Sequence, residues 1–129
     1  MKIRKFNESE NYILTWGNLK EIVENGDVQL VNMEMGDFLD SMENQDLEQP
    51  LYRKAPTNGL QEVDELFVIV FDKNSINYDM NSIPEPIAVI GEYEIMNPFV
   101  FGDVVIVPGH DSITCFNMNT GESTTSYIR

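Results

Sequence analysis

The single histidine, His110, and the single cysteine, Cys115, are the side chains best suited to acid–base or nucleophilic chemistry. His110 stands at the end of a predicted strand beside Asp111, and a histidine next to a carboxylate can serve as a general base. Adjacent residues on an extended chain point apart, however, so Asp111 is badly placed to orient the His110 ring. Cys115 has no basic neighbour in the sequence that would favour a thiolate, and free cysteines are usually buried. We therefore interpret His110 as an exposed turn residue and Cys115 as a core thiol.

Oxygen-rich stretches raise the separate questions of metal binding and of catalysis by paired carboxylates. Residues 72–79 carry oxygen ligands at alternate positions but lack the turn glycine and the bidentate glutamate of a calcium-binding EF-hand. The pairs Glu92/Glu94 and Asp37/Asp40 would each share one face of a strand or a helix, and catalysis needs such pairs inside a cleft. Both faces are the polar sides of amphipathic elements, so we interpret them as solvated. The sequence thus predicts no catalytic residue, no metal site and no cofactor.

The net charge of −14, from 22 acidic and 8 basic residues, separates this chain from an average domain. Binding to nucleic acid needs Lys and Arg facing the phosphates, so direct contact with nucleic acid is disfavoured, as is attachment to an anionic membrane. A basic protein is the complementary partner. The simpler alternative is that the charge serves solubility alone.

The acidic residues are concentrated in one segment of the chain. Between Glu21 and Tyr52 there are nine acidic residues and no Lys or Arg. Like charges three apart on a helix repel each other by a few tenths of a kcal/mol per pair, a cost that interspersed lysines would avoid. We therefore predict that this segment binds a partner through six carboxylates: Glu34, Asp37, Asp40, Glu43, Asp46 and Glu48.

The leading hypothesis is a non-enzymatic inhibitor or regulator that occupies a basic site on a partner protein, such as a nucleic-acid-binding enzyme. Acids three apart on a helix rise about 4.5 Å along its axis, comparable with the roughly 3.4 Å per phosphate of one DNA strand, which suits a DNA mimic such as a phage counter-defence protein. An immunity protein that neutralises a basic toxin would use the same electrostatics. The alternative from another class is a small enzyme that uses His110 with nearby carboxylates.

The size of the chain indicates one domain that spans residues 1–129. With 129 residues and 42% hydrophobic content, it can bury a core without metals or disulfides, and one cysteine excludes an internal disulfide. The N-terminal residues lack the apolar core of a signal peptide, and no run approaches the roughly 18 apolar residues of a membrane span. We therefore expect a cytoplasmic protein, and the oligomeric state is left open.

Two hydrophobic patterns and one helix-capping signal predict the elements that carry these residues. Residues 66–71 are six consecutive apolar residues, which predicts a strand covered on both faces in the middle of a sheet. Asn18 is predicted to cap a first helix that ends at Gly26. A second helix within residues 34–44 is predicted by an apolar stripe at i, i+3, i+4 and i+7 that faces the core, formed by Met35, Phe38, Leu39 and Met42.

The remaining strands are predicted from alternation and from turn residues. Residues 2–6 suggest a short edge strand, and residues 87–90 a strand that continues past Gly91 to Ile95. A hairpin with its turn at Gly121 ends the chain. Together these elements predict an α+β fold, in which a curved, mainly antiparallel sheet of about five to six strands ends in a C-terminal meander. Two short helices from the N-terminal half pack on one face of that sheet.

Overall fold

The computed structural model describes residues 14–51, 58–64, 66–72 and 85–128. The strand predicted at residues 2–6 and almost all of the turn predicted at residues 72–79 lie outside these ranges. The elements, in chain order, are α1 (Trp16–Glu24), β1 (Gln29–Val31), α2 (Met35–Met42), β2 (Leu60–Val63), β3 (Phe67–Phe71), β4 (Pro86–Gly91), β5 (Phe99–Phe101), β6 (Val104–Pro108), β7 (Ser112–Asn117) and β8 (Ser123–Tyr127). In the part of the chain that is described, neither helix has the length and apolar character needed to cross a membrane.

The eight strands form two four-stranded sheets. The first has the order β1-β4-β3-β2, with β1 parallel to β4 and the other pairs antiparallel. The second is an antiparallel meander in the order β5-β6-β7-β8. The predicted α+β class, the two short helices and the C-terminal meander are confirmed. The strands that we expected in one curved sheet are divided between two.

The division between the sheets begins at Gly91, where β4 ends. A Cβ atom at Gly91 would lie 3.0 Å from the Asn32 carbonyl oxygen, so the two chain segments approach closely here. Beyond this point Glu94 and Asn97 have φ values of 55° and 49°, a left-handed conformation that does not continue a strand. The predicted extension of this strand to Ile95 is therefore wrong, because these turns lead the chain into the second sheet.

The central position predicted for residues 66–71 is confirmed, with the strand itself running from Phe67 to Phe71. All of its residues are buried, and alternate side chains enter two different apolar clusters. Phe67 and Ile69 pack with the helices, whereas Val68 packs with the second sheet. The first sheet is thus the middle layer of three, and its helical side carries α2. Leu66 precedes the strand and is exposed.

The N-cap of helix α1 lies three residues before the predicted cap, Asn18. Thr15 is the N-cap, and its hydroxyl accepts a hydrogen bond from the Asn18 N–H at 3.2 Å. The Asn18 side chain in turn accepts from the Thr15 N–H at 2.9 Å. Asn18 is therefore the N3 residue of the capping box and not its N-cap, so the predicted cap is wrong. The predicted end of the helix at Gly26 is close to the observed one, since the helix ends at Glu24 and Gly26 has a left-handed φ of 83°.

Candidate functional site

The six predicted carboxylates lie on α2 and on the turns that follow it, and all six are exposed. Glu34 is the N-cap residue of α2 and Glu43 is its C-cap residue. Asp46 and Glu48 belong to the next turns, where the Asp46 carboxylate accepts a hydrogen bond from the Glu48 N–H at 3.0 Å. We call these six residues the acidic surface: Glu34, Asp37, Asp40, Glu43, Asp46 and Glu48.

The opposite side of α2 anchors the helix to the core. Phe38 is fully buried and its ring centroid lies 6.0 Å from that of Phe67 in the central strand. Met42 is buried and Leu39 packs against the same cluster. Met35, however, is 38% exposed and lies outside the core cluster, so its predicted core position is wrong. It is the first residue of the helix, at the margin of the packed layer.

Among the described residues, positive charge is scarce around the acidic surface. Lys20 is the one Lys or Arg within the described ranges, and it pairs with Glu24 on its own helix at 3.7 Å. Within those ranges, no carboxylate of the acidic surface has an ion-pair partner. The repulsion between neighbouring carboxylates that the sequence predicted is therefore not offset by a described cation.

An open groove of about 450 Å³ lies beside the acidic surface. Strands β1 and β4 are parallel, with Val31 opposite Ile90, so the chain leaves both strands at the same end of the sheet. The segments that follow these strands form one side of the groove, and β7 and β8 of the second sheet form the other. Its lining includes Asn32, Asp37, Glu92, Tyr93, Ser112 and Tyr127. We call this feature the Glu92 groove.

The Glu92 carboxylate is half-buried and held by hydrogen bonds from the second sheet. The Ser112 hydroxyl donates to both Glu92 oxygens at 2.8 Å, and the Thr114 hydroxyl donates to Oε2 at 2.6 Å. The Tyr93 N–H contributes a longer contact to Oε1 at 3.3 Å. Ser112 and Thr114 are themselves buried. The carboxylate therefore has a fixed position, and all its donors are electrically neutral.

Asn32 extends this hydrogen-bond network from the first sheet. Its side-chain amide donates to the hydroxyls of Thr114 and Thr125, at 2.6 and 2.9 Å. The two hydroxyls lie 3.1 Å apart. If Thr125 donates to Thr114, then Thr114 gives its own proton to Glu92 and accepts two bonds, which uses its full capacity. Asn32 itself has a φ of 57°, a conformation that asparagine tolerates better than most residues.

Gly109 leaves the space that the Glu92 carboxylate occupies. A Cβ atom at Gly109 would collide with the Glu92 side chain and would lie 2.8 Å from the Tyr93 carbonyl oxygen. The neighbouring backbone is fixed as well, because the Gly109 N–H donates to the Ser112 carbonyl and the His110 N–H to that of Tyr93. A glycine is therefore required here for close approach of the chain.

The predicted strand face shared by Glu92 and Glu94 does not exist, and the prediction that both carboxylates are solvated is wrong for Glu92. Because β4 ends at Gly91, neither residue belongs to a strand. Glu92 turns into the groove, whereas Glu94 is exposed near His110. Asp37 and Asp40 are both exposed on α2, as predicted, and Asp37 also lines the groove.

His110 is exposed in a bend, as the sequence predicted. Its Nδ1 lies 3.5 Å from Glu94 Oε1, and its Nε2 lies 3.6 Å from Asp111 Oδ1. Its ring meets the edge of Tyr93, with centroids 6.0 Å apart. His110 is not among the residues that line the Glu92 groove. In the described residues, no cluster of three or more His, Cys, Asp or Glu side chains has an arrangement suited to a metal ion.

Cys115 is half-buried, so the prediction of a core thiol is wrong. Strand β7 alternates, and its buried residues are Ser112, Thr114 and Phe116. Ile113 and Cys115 are more apolar than Ser112 and Thr114. For this reason the sequence predicted that the Ile113/Cys115 face of the strand would be buried. The hydroxyl face is buried because it supplies the donors for Glu92.

The groove therefore combines one predicted binding residue, Asp37, with Glu92, which the sequence placed on a solvated face, and with hydroxyl and aromatic residues that the sequence did not single out. Glu34, Asp40, Glu43, Asp46 and Glu48 lie outside its lining. The available signal was the pair of hydroxyl residues at alternate positions of a strand, which marks a polar inner face. No known protein family matches the chain, and neither a curated protein nor a solved structure shows significant similarity to it.

Proposed function

We propose that this protein is a non-enzymatic binding protein that uses the acidic surface to occupy a basic site on a partner protein. The observation that carries the proposal is the series of six exposed carboxylates on α2 and the turns after it, without a paired cation in the described part of the chain. The opposite face of α2 is held by Phe38 and Met42. The charges are thus presented on a rigid support.

The spacing of these charges makes them act together. Residues three apart on a helix are separated by about 4.5 Å along its axis, which is shorter than the screening length of about 8 Å at physiological ionic strength. Their fields therefore add, and a basic surface would be attracted over a longer distance than a single ion pair allows. Contact with such a surface would also relieve the repulsion between the carboxylates.

The partner of this proposal is a nucleic-acid-binding enzyme or a basic toxin in the cytoplasm. Along α2, acids three apart rise by about 4.5 Å, comparable with the rise of roughly 3.4 Å per phosphate along the axis of one DNA strand, which supports the DNA-mimic form of the proposal. A channel that binds phosphates would meet carboxylates at similar intervals. Direct binding of nucleic acid or of an anionic membrane is disfavoured by the same charge.

Charge reversal with a matched control tests the proposal. The tagged wild-type chain recovers the partner from cells that encode it, and its affinity is then compared with that of two double variants. Asp40→Lys/Glu43→Lys changes the acidic surface, whereas Glu62→Lys/Glu122→Lys changes two exposed acids elsewhere by the same net charge. We expect the first variant to weaken binding by about tenfold or more, and the control to weaken it much less.

Two outcomes would contradict the proposal. One is an equal loss of affinity in both double variants, which would mean that net charge acts without a defined surface. The other is a recovered partner whose affinity does not change when the acidic surface is reversed at low salt.

A further inference from the structure

We infer that the Glu92 groove receives an arginine side chain of the basic partner; this inference rests on the proposed function and specifies one of its contacts. The groove has the charge that such a side chain needs. Asp37 and Glu92 line it, and none of the residues that form its lining in the described structure is basic. A cation from another molecule would complement the two carboxylates of this lining.

The state of the Glu92 carboxylate points to a cationic ligand. A half-buried charge is costly unless it is paired, and its donors from Ser112, Thr114 and the Tyr93 backbone are all neutral. The Ser112 hydroxyl shares its single proton between the two oxygens, and the other two donors add one proton each. These neutral groups hold the carboxylate in place but do not offset its negative charge. The hydroxyls fix the carboxylate before a ligand arrives, which lowers the cost of ordering on binding.

The other walls of the groove favour arginine over lysine. Tyr93 and Tyr127 are 67% and 79% exposed, and a planar guanidinium stacks on aromatic rings. Its five N–H donors can engage Glu92 and Asp37 together, which a single ammonium does less well. Met33 and Leu66 supply apolar contact for the methylene groups of the side chain.

The size and place of the groove fit a side chain that belongs to a protein. Its volume of about 450 Å³ lies within the roughly 300–1,000 Å³ typical of ligand sites and exceeds that of one side chain, so part of the flanking peptide would enter as well. Asp37 belongs to both the groove and the acidic surface. One basic partner could therefore lie on the acidic surface and insert an arginine into the adjoining groove.

Titration of the isotope-labelled protein with short peptides tests this assignment directly. The probe is acetyl-Gly-Arg-Gly-amide, and the control peptide has citrulline, which keeps the shape of arginine without its charge. At millimolar concentration we expect the arginine peptide to shift the amide signals of Tyr93, Ser112 and Tyr127. The citrulline peptide should leave them in place. An equal response to both peptides, or no shift of these signals with arginine, would overturn the inference.

Two variants show whether the contact uses the groove residues. Glu92→Gln keeps an acceptor but removes the charge, and should weaken binding of the arginine peptide by about tenfold. Tyr127→Ser removes an aromatic ring that lies outside the hydrogen-bond network, and should weaken binding of the arginine peptide by about two- to fivefold. This variant tests the inference even if Glu92→Gln does not fold. Phe101→Ser, at an equally exposed aromatic residue away from the groove, is the control and should bind like the wild type. Equal affinity in Tyr127→Ser and Phe101→Ser would contradict the proposed stacking.

The outcomes for the groove and for the acidic surface are separable. If the groove inference fails alone, the arginine peptide shifts only signals of the acidic surface, and Glu92→Gln binds the recovered partner as the wild type does. If the proposed function fails alone, the peptide occupies the groove, but Asp40→Lys/Glu43→Lys leaves partner affinity unchanged.

Discussion

The acidic surface and the Glu92 groove use carboxylates in opposite ways. The acidic surface is local in sequence, within residues 34–48, and its side chains are exposed. Glu92 is half-buried and is held by hydroxyls that are 20 and 22 residues away along the chain. Asn32 joins the same network across 82 and 93 residues. The first region attracts through several exposed charges, whereas the second offers one charge held in place by hydrogen bonds.

This difference separates two contributions to recognition. Exposed charges mainly raise the rate of encounter and add modestly to affinity, because water and salt screen them. A fixed, partly desolvated carboxylate contributes to the lifetime and selectivity of a complex, because a wrong group leaves it unpaired. The two regions should also differ in their effect on stability, because the hydroxyls that hold Glu92 are buried whereas the acidic surface is exposed. We expect substitutions near the groove to change stability strongly and those on the acidic surface to change it weakly.

The largest effect on stability is expected at Gly109. Gly109→Ala would force a methyl group against the Glu92 side chain and the Tyr93 carbonyl, and should lower the free energy of unfolding by about 1–3 kcal/mol. Gly36→Ala is the control in α2, where an added Cβ atom meets nothing within 4 Å. It should raise stability by up to about 1 kcal/mol. Thermal unfolding of both variants measures the contrast, and similar melting temperatures would contradict it.

Loss of the Thr114 hydroxyl comes next. Thr114→Val keeps the shape of a fully buried side chain but removes a donor to Glu92 and an acceptor for Asn32. We expect a loss of about 1–2 kcal/mol, measured by urea denaturation. Thr124→Val, at an exposed position of the neighbouring strand, should change stability by less than about 0.5 kcal/mol. Equal midpoints for the two variants would show that the network does not stabilise the fold.

Charge reversal on the acidic surface should have a smaller effect of opposite sign. Asp40 and Glu43 lie at the C-terminal end of α2, where negative charge opposes the helix dipole. Asp40→Lys/Glu43→Lys should therefore stabilise the protein by about 0.3–1 kcal/mol at low ionic strength, and the gain should shrink in 1 M salt. Denaturation at both salt concentrations checks this. A destabilised variant would reveal stabilising contacts of these carboxylates.

The smallest effect is expected at the two residues with catalytic potential. His110→Ala and Cys115→Ala, made separately, should each leave partner affinity within about twofold of the wild type, because surface substitutions outside the contact change little. Titration calorimetry with the recovered partner measures this. Loss of biological activity in either variant with partner binding intact would favour the enzyme hypothesis over the binding protein.

The sequence was informative wherever a hydrophobic period was unambiguous. In the apolar stripe of α2, Phe38 and Met42 are buried as predicted, and the one wrong position is Met35 at the start of the helix. The central strand has apolar residues on both of its faces, which predicted that both faces are buried, and they are. In each case, local periodicity determined which side chains face the core.

The groove could not be predicted in this way because it depends on pairing between distant strands. The choice between the two faces of β7 was decided by contacts with Glu92, which the alternation of Ile113 and Cys115 did not reveal. The division into two sheets depends on left-handed residues at Glu94 and Asn97, and neither is a glycine. Single-residue backbone geometry of this kind leaves little signal in a sequence.

The dependence of the association rate on salt tests the proposed role of the acidic surface most directly. The rate constant for binding to the recovered partner is measured by stopped flow from about 0.02 to 0.2 M salt, a range over which surface charges become screened. For the wild type and for Glu62→Lys/Glu122→Lys, we expect a fall of about tenfold or more. For Asp40→Lys/Glu43→Lys, the rate should be lower at low salt and nearly independent of salt. The same salt dependence in all three proteins would contradict binding through the acidic surface.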